Sequence, residues 1–353
     1  MIKKIESFKP FTGTLCIATS LGNIVRSMAG ADYGEEMYYG LGSALYFGYI
    51  VSDDMRALGA STDLLLDNLK DNLTLSKLEI KYEDESVFEQ VKGFVDEGVP
   101  VLVKGMHFHK ETDLKEDRIL MDRLDLPMNQ HYTTIYGYDD KEKAFLMADN
   151  IHNGMVPLER FLRVRDSERT LLMFLVPKSF EHMDYRVYGA IRKTMDYWYR
   201  MPNNPKPVAD FYTTQCLHLN TVYATLDGLD KFKSEFLRGI EIENFANYSK
   251  TVFFLRIISY RGTGGDMTRG LQGRFLKGAY KLTNDSRMLD VSKLYGTAAR
   301  EWRSFLKLFD KDENESFKEV TDPILVKPYH EKIVKLYDCE MKALEALTKI
   351  AYE

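Results

Sequence analysis

The stretch HYTTIYGYDDKEKAFLMAD (131–149) predicts two β-strands joined by a charged turn. Folded as an antiparallel hairpin centred on Asp140, these strands place His131 directly across from Asp149. Directly opposed residues project from one face with Cβ atoms about 4.5–5.5 Å apart. The carboxylate can then accept a hydrogen bond from one imidazole nitrogen and leave the other for a third group. A register slip of one residue would separate the two side chains, and a surface hairpin with an incidental His and Asp stays open as the alternative.

A cysteine early in the chain is a candidate partner for that second imidazole nitrogen. Apolar residues at helical spacing predict a helix over 15–28, with Thr14 as its N-cap. Cys16 then lies in the first turn, where unpaired N–H groups and the positive end of the helix dipole stabilise a thiolate. The alternative is a small buried hydrophobic residue. With His131 and Asp149, Cys16 completes the residue types of a nucleophile, its base and an orienter of that base.

The other cysteines and histidines carry weaker signals. Cys216 and Cys339 fall inside predicted helices, and we interpret them as structural. His107 and His109 alternate after a predicted strand, but no third residue has convincing metal-ligand spacing, so we expect cleft residues rather than a metal site. His152 follows Asp149 closely and is the alternative base.

Composition and charge exclude several classes of protein. The chain has 44% hydrophobic and 29% charged residues, which is ordinary for a globular protein. A net charge of −5 lacks the basic surface of a nucleic-acid binder. Three scattered cysteines do not form a disulfide framework, and neither a secretory signal nor a run of about 20 apolar residues is visible. We therefore expect a cytoplasmic protein without a membrane or nucleic-acid partner.

The pattern of the chain changes near residue 180. The first part mixes helices predicted over 15–28, 61–78 and 86–97 with four β-rich runs, 99–104, 132–138, 144–148 and 171–176. The second part predicts only helices joined by polar loops, over 185–199, 208–236, 245–260, 270–282, 291–309 and 320–352. The sequence thus predicts an α+β protein, with a mixed N-terminal domain (1–180) and an all-helical C-terminal domain (181–353).

Several segments together resemble a known family. GTLC (13–16) before a helix, HYTTIYGYD (131–139) and MADN (147–150) resemble the papain-like double-glycine peptidase superfamily and, within it, the butirosin BtrH-type acyltransferases. EEMYYGLG (35–42) is similar to the segment after the nucleophile helix of that family, and RGTGGD (261–266) to the glycine-rich signature of its helical C-terminal domain. The chain also resembles the papain-like amide synthetases of polythioamide (closthioamide) assembly.

The resemblance implies a papain-like catalytic domain with Cys16 as nucleophile, His131 as base and Asp149 as orienter. It implies transfer of an acyl group from the phosphopantetheine thioester of a carrier protein to a small amine or diamine, without a cofactor or metal of the enzyme's own. Two positions depart from the pattern. Leu15 stands where many members have His, and Pro10 stands where papain-type peptidases have a Gln that donates to the oxyanion, so the second oxyanion donor is unassigned.

Two other functions compete with this prediction. A cysteine peptidase or amidase would use the same fold and the same three residues to hydrolyse a bond. A non-catalytic binding module would keep the fold without an activated thiol. The oligomeric state, including a homo-oligomer, stays open at this point, as do the acyl group and the amine.

Overall fold

The structure is a computed structural model of the chain. It describes residues 1–51, 56–59, 64–105, 131–165, 168–200, 221–242, 244–260 and 264–353. Several predictions lie outside these ranges. They are the pair His107 and His109, the assignment of Cys216 to a helix, residues 208–220 of the helix predicted over 208–236 and the first half of the glycine-rich segment 261–266.

Contacts divide the chain into two compact units. We call Met1–Tyr38 with Leu69–Glu181 the N-terminal unit, and Tyr39–Asn68 with His182–Glu353 the helical unit. The second boundary falls next to residue 180, where the sequence pattern changes. The segment Tyr39–Asn68, which the predicted domain 1–180 includes, groups with the helical unit instead.

An antiparallel sheet forms the centre of the N-terminal unit. Its strands are β1 (Ile2–Lys4), β4 (Ser76–Lys81), β5 (Val101–Gly105), β6 (His131–Asp139), β7 (Ala144–Ala148), β8 (Asn153–Pro157) and β9 (Thr170–Leu175). The strand order is β4-β9-β5-β6-β7-β8, and β1 pairs with β6 on the edge that β5 also uses. The four predicted β-rich runs are confirmed as β5, β6, β7 and β9. β4 replaces the end of a helix that the sequence predicts over 61–78.

Helices α1 (Cys16–Ala29), α4 (Val87–Asp96) and α5 (Leu158–Val164) belong to the same unit. The buried face of α4, with Val87, Val91 and Val95, packs into the apolar core over the sheet. Phe145 of β7 contacts the rings of Phe88 and Phe161 at centroid distances of 5.4 and 5.1 Å. The apolar residues that recur at strand and helix spacing in the sequence therefore pack into a single core.

The helical unit holds the long helices and one small sheet. β2 (Gly48–Val51) lies between β3 (Arg56–Gly59) and β10 (Thr221–Ala224). The helices after residue 182 are α6 (Met183–Arg200), α7 (Thr225–Ile242), α8 (Phe245–Tyr260), α9 (Arg269–Thr283), α10 (Arg287–Leu306) with a 3₁₀ turn (Lys307–Phe309), α11 (Glu313–Thr321) and α12 (Lys327–Tyr352). Two short helices, α2 (Glu35–Leu41) and α3 (Leu64–Leu73), cross the boundaries between the units.

The α+β class is confirmed, and the C-terminal region is helical with two departures from the prediction. Thr221–Ala224 is a strand rather than part of a helix, because its β-branched and aromatic residues pair with Gly48–Val51. The predicted helix 320–352 is interrupted at 322–326, where Asp322 accepts the N–H groups of the next turn and Pro323 cannot continue α11. None of the helices in the described ranges combines the length and apolar character that a membrane crossing requires.

Candidate active site

Cys16 is the first residue of α1, and this helix lies on strand β6. Ser20, one turn after Cys16, donates from its hydroxyl to the Tyr132 carbonyl at 3.1 Å, and Thr134 of β6 donates back to the Ser20 carbonyl at 3.2 Å. Residues four apart share a helix face, so these two bonds turn Cys16 toward the start of β6. His131 is the first residue of that strand.

The N-cap of α1 differs from the prediction. Leu15, in extended conformation, is the N-cap, and Thr14 lies one residue outside the helix. No side chain caps the first turn of α1, and the N–H groups of Thr14 and Leu15 donate to the carboxylate of Glu35 at 2.6 and 3.1 Å. Cys16 consequently stands at the helix terminus itself, half-buried.

The turn after β7 brings Asp149 to His131. Nε2 of His131 lies 2.8 Å from Oδ2 of Asp149, and the two side chains are 12% and 0% exposed. The second carboxylate oxygen, Oδ1, accepts the backbone N–H groups of Ile151 at 2.7 Å and His152 at 2.6 Å. Both oxygens of Asp149 are therefore used, and the carboxylate is fixed in one orientation.

The predicted hairpin register is wrong, although the contact it predicts is present. Centring on Asp140 would pair Ile135 with Phe145, whereas the structure pairs Ile135 with Met147, a shift of two residues. Nearer the turn the shift is three, since Tyr138 pairs with Phe145. A shift of two keeps side chains on the same face and a shift of three does not.

A β-bulge reconciles the two shifts. Tyr136 has no partner in β7, because Ile135 faces Met147 and the next residue but one, Gly137, faces Leu146. This extra residue changes the register shift from three, next to the turn, to two, next to His131. An even shift keeps the side chains of this half of β6 on the predicted face of the sheet. The Tyr136 carbonyl accepts the N–H of Ile5, and its ring stacks on Phe8. The bulge is thus held from the segment after β1.

The charges of the three residues support one another. Burial raises the pKa of the Cys16 thiol, but the charge and hydrogen bond of His131, together with the backbone N–H of Tyr132, outweigh it and lower that pKa. Burial lowers the pKa of His131, while the Cys16 thiolate and the bond to Asp149 raise it to about 10. Burial acts against ionisation of Asp149 as well, yet the bond to His131 and the two backbone N–H groups keep its pKa well below the ordinary range. These directions favour a thiolate–imidazolium pair over a neutral thiol and imidazole.

The other candidate residues lie apart from this arrangement or at its edge. Nδ1 of His152 is 3.7 Å from Asp149 Oδ2, longer than a hydrogen bond, so the carboxylate is engaged by His131 rather than by the alternative base. Cys339, within α12, is half-buried, and its pKa is raised by burial. No cluster of potential metal ligands occurs among residues that the structure describes.

Three features beside Cys16 escape analysis of the sequence. They are the Tyr132 N–H, the carboxylate of Glu35, and Asn150, whose side-chain amide donates to the Thr14 carbonyl at 3.0 Å while its backbone carbonyl accepts the Gly13 N–H. The only signal for Asn150 is its place next to Asp149. Glu35 is one of two adjacent glutamates, and nothing in the sequence distinguishes them.

Two family models match the chain. Residues 15–150 match the family described as butirosin biosynthesis protein H, N-terminal, a range that contains Cys16, His131 and Asp149. The similarity to this family extends over residues 15–150. Residues 181–347 match a domain of unknown function (DUF4872). No curated protein matches the chain. The BtrH-type resemblance seen in the sequence is thereby confirmed for the region that carries the site.

Proposed function

We propose that the chain is an amide-forming acyltransferase of natural-product biosynthesis. It takes an acyl group from a carrier-protein thioester onto Cys16 and passes it to an amine. The observation that carries this proposal is the His131–Asp149 hydrogen bond of 2.8 Å beside a thiol at a helix terminus. The matched family is named for butirosin biosynthesis, which supports a biosynthetic role, within antibiotic production, over a degradative one.

We also propose that the N-terminal unit has a papain-like fold. In it, a helix that begins at the nucleophile lies across a strand of an antiparallel sheet that carries the base. The α1–β6 hydrogen bonds and the antiparallel sheet support this assignment. The proposal places the chain among papain-like amide synthetases, of which those of polythioamide assembly are one kind.

The first step forms an acyl-enzyme. The Cys16 thiolate attacks the thioester carbonyl, and the N–H of Cys16, which has no acceptor within α1 because it is the first residue of that helix, donates to the developing oxyanion. The bond between the acyl carbon and the carrier sulfur breaks, and the departing pantetheine thiolate takes the proton of the His131 imidazolium. Exchange of one thioester for another is close to neutral in free energy, so this step needs no ATP.

The second step forms the amide. Neutral His131 accepts a proton from the incoming amine as its nitrogen attacks the acyl-Cys16 carbonyl. The carbon–sulfur bond breaks, and Cys16 leaves as a thiolate beside the imidazolium, which restores the starting pair. Asp149 keeps Nε2 of His131 protonated throughout, so that only Nδ1 exchanges protons with the reactants. Conversion of a thioester to an amide runs downhill and completes the cycle.

Product mass separates this function from its competitors. The protein is incubated with a small acyl thioester or an acylated carrier protein, with and without a diamine, and the products are weighed. Transfer predicts the amide in excess over free acid when the diamine is present. Free acid formed equally fast with and without amine would assign the chain to the hydrolases, and no acyl-Cys16 under any condition would assign it to non-catalytic binding modules.

A further inference from the structure

Three hydrogen bonds converge on one oxygen beside the candidate nucleophile. Oε2 of Glu35 accepts the Thr14 N–H at 2.6 Å, the Leu15 N–H at 3.1 Å and the Thr19 hydroxyl at 3.0 Å. Glu35 is the first residue of α2, and it is only 7% exposed. A single buried carboxylate thus holds the two residues before Cys16 and the residue three positions after it.

The close fit of Gly13 shows how tightly this carboxylate is placed. A Cβ atom at Gly13 would lie 2.3 Å from Oε2 of Glu35 and 2.2 Å from Oγ1 of Thr19. No side chain fits at these distances, so the chain passes directly over the carboxylate. The Gly13 N–H in turn donates to the Asn150 carbonyl at 2.8 Å. All three N–H groups of the segment 13–15 therefore have fixed partners.

We propose that Glu35 is the positioning residue of Cys16. Residues 14 and 15 determine where the Cys16 N–H and Sγ stand, and Glu35 fixes both residues through one oxygen. The role depends on the reach of the side chain, because the carboxylate must arrive at the segment from α2. It acts through residues 14 and 15 and does not itself touch the reactants. This inference rests on the proposed role of Cys16 as an activated nucleophile.

Two substitutions separate reach from charge. Glu35→Asp keeps the negative charge but withdraws the oxygen by about the length of one methylene group. Glu35→Gln keeps the reach and the acceptor oxygen but removes the charge. Glu36 is the matched control, since it is also an acidic residue of the first turn of α2 and has no hydrogen bond to residues 13–15 among those described.

The readouts are chosen so that partial unfolding does not imitate the effect. We expect Glu35→Asp to lower kcat about 10- to 100-fold, the cost of a displaced reacting group, with KM changed far less. The pH midpoint for alkylation of Cys16 should move up toward that of an ordinary thiol, about 8.5, as contact with His131 loosens. Glu35→Gln should stay within about threefold of the parent, and Glu36→Asp and Glu36→Gln should change neither quantity.

The pH midpoint reports on the thiol of folded molecules. A smaller folded fraction lowers the amplitude of this labelling but leaves its midpoint unchanged. Glu35→Asp with unchanged kcat and midpoint overturns the inference. So does a downward shift of the midpoint in Glu35→Gln with none in Glu35→Asp, because the charge rather than the reach of Glu35 would then act on the thiol. An ordinary midpoint for Cys16 in the unsubstituted protein is a different result, since it removes the proposed nucleophile itself.

Discussion

Each unit buries a network of charges, and the two networks differ in how completely they are closed. In the helical unit Arg269 and Glu340 are both 0% exposed. The guanidinium donates from Nε to Oε1 at 2.6 Å and from Nη2 to Oε2 at 3.2 Å, and its Nη1 donates to two backbone carbonyls. Trp302 donates to the same carboxylate at 2.6 Å. Every direction around this pair is occupied by protein.

The network of the N-terminal unit is saturated at one end only. Asp149 is as buried as Glu340, and both its oxygens accept hydrogen bonds. His131 is 12% exposed, and Cys16 is half-buried. The carboxylate of Asp149 is therefore enclosed, whereas the imidazole and the thiol both keep some exposure. The Arg269–Glu340 pair is enclosed on all sides, whereas the Cys16–His131–Asp149 network ends in a partly exposed thiol, as the proposed acyl transfer requires.

The largest effect is expected on the activity of the Cys16–His131–Asp149 network. Cys16→Ala should lower acyl transfer at least about 10⁴-fold, since no other group replaces the nucleophile. Its thermal midpoint should change little, because Ala fits the first position of a helix. Cys339→Ala is the control and should keep full activity. Steady-state rates and the intact mass of the acyl-enzyme measure both variants, and acyl loading of Cys16→Ala at the parent level would contradict the proposed mechanism.

Substitutions in the Arg269–Glu340 network should change the stability of the protein instead. Arg269→Met leaves Glu340 buried without its counter-ion, and we expect a loss of about 3–5 kcal/mol in the free energy of unfolding. Urea denaturation measures it. Arg287→Met, at the surface pair with Asp285, should stay within about 1 kcal/mol. The double variant Arg269→Met/Glu340→Leu should cost less than Arg269→Met alone, and an equal or greater loss would mean that packing rather than charge explains the effect.

A smaller effect on activity is expected at Asp149, the buried end of the Cys16–His131–Asp149 network. Asp149→Asn should lower kcat about 10²-fold or more while Cys16 still becomes acylated slowly. The amide cannot steady the imidazolium, and its NH₂ group can favour the wrong tautomer of His131. The pH midpoint for alkylation of Cys16 should also rise in this variant. A parent-like kcat would show that His131 keeps its orientation without the carboxylate.

The smallest effect is a difference in reactivity between two thiols. Because the pKa of Cys16 is lowered, its thiolate persists to a lower pH than the thiolate of an ordinary cysteine. Cys339, whose pKa is raised, gains thiolate only in the alkaline range. At pH 7 we expect iodoacetamide to label Cys16 about tenfold faster. Peptide mapping measures the two rates, and equal rates would leave the thiol of Cys16 without activation.

Local patterns were sufficient for the parts of the fold that depend on near neighbours. The strands 132–138 and 144–148 and the helix after Thr14 follow from alternation, helical spacing and turn composition, and the structure has all three. The contact of His131 with Asp149 was also within reach, since both lie in one hairpin. It was correct in outcome because the error in register near the site is an even number of residues.

The parts that could not be predicted depend on residues far apart in the sequence. Thr221–Ala224 becomes a strand only because Gly48–Val51 offers it an edge. Arg269 meets Glu340 across 71 residues, and a buried pair of this kind leaves no periodic mark on either helix. The contact of Glu35 with Thr14 and Leu15 is of the same kind, since these residues lie 21 and 20 positions before it in the sequence.

The bulge at Tyr136 acts on this hairpin as a frameshift acts on a coding sequence. Gain or loss of one residue in the turn 140–143 would exchange inward for outward side chains along one strand, and His131 would lose Asp149. A second change of one residue at the bulge would restore the frame. In related chains, a turn that is one residue longer or shorter should therefore be accompanied by a gained or lost bulge. A turn that is two residues longer or shorter needs no such compensating change. Spacing in such chains is governed by parity, not by length.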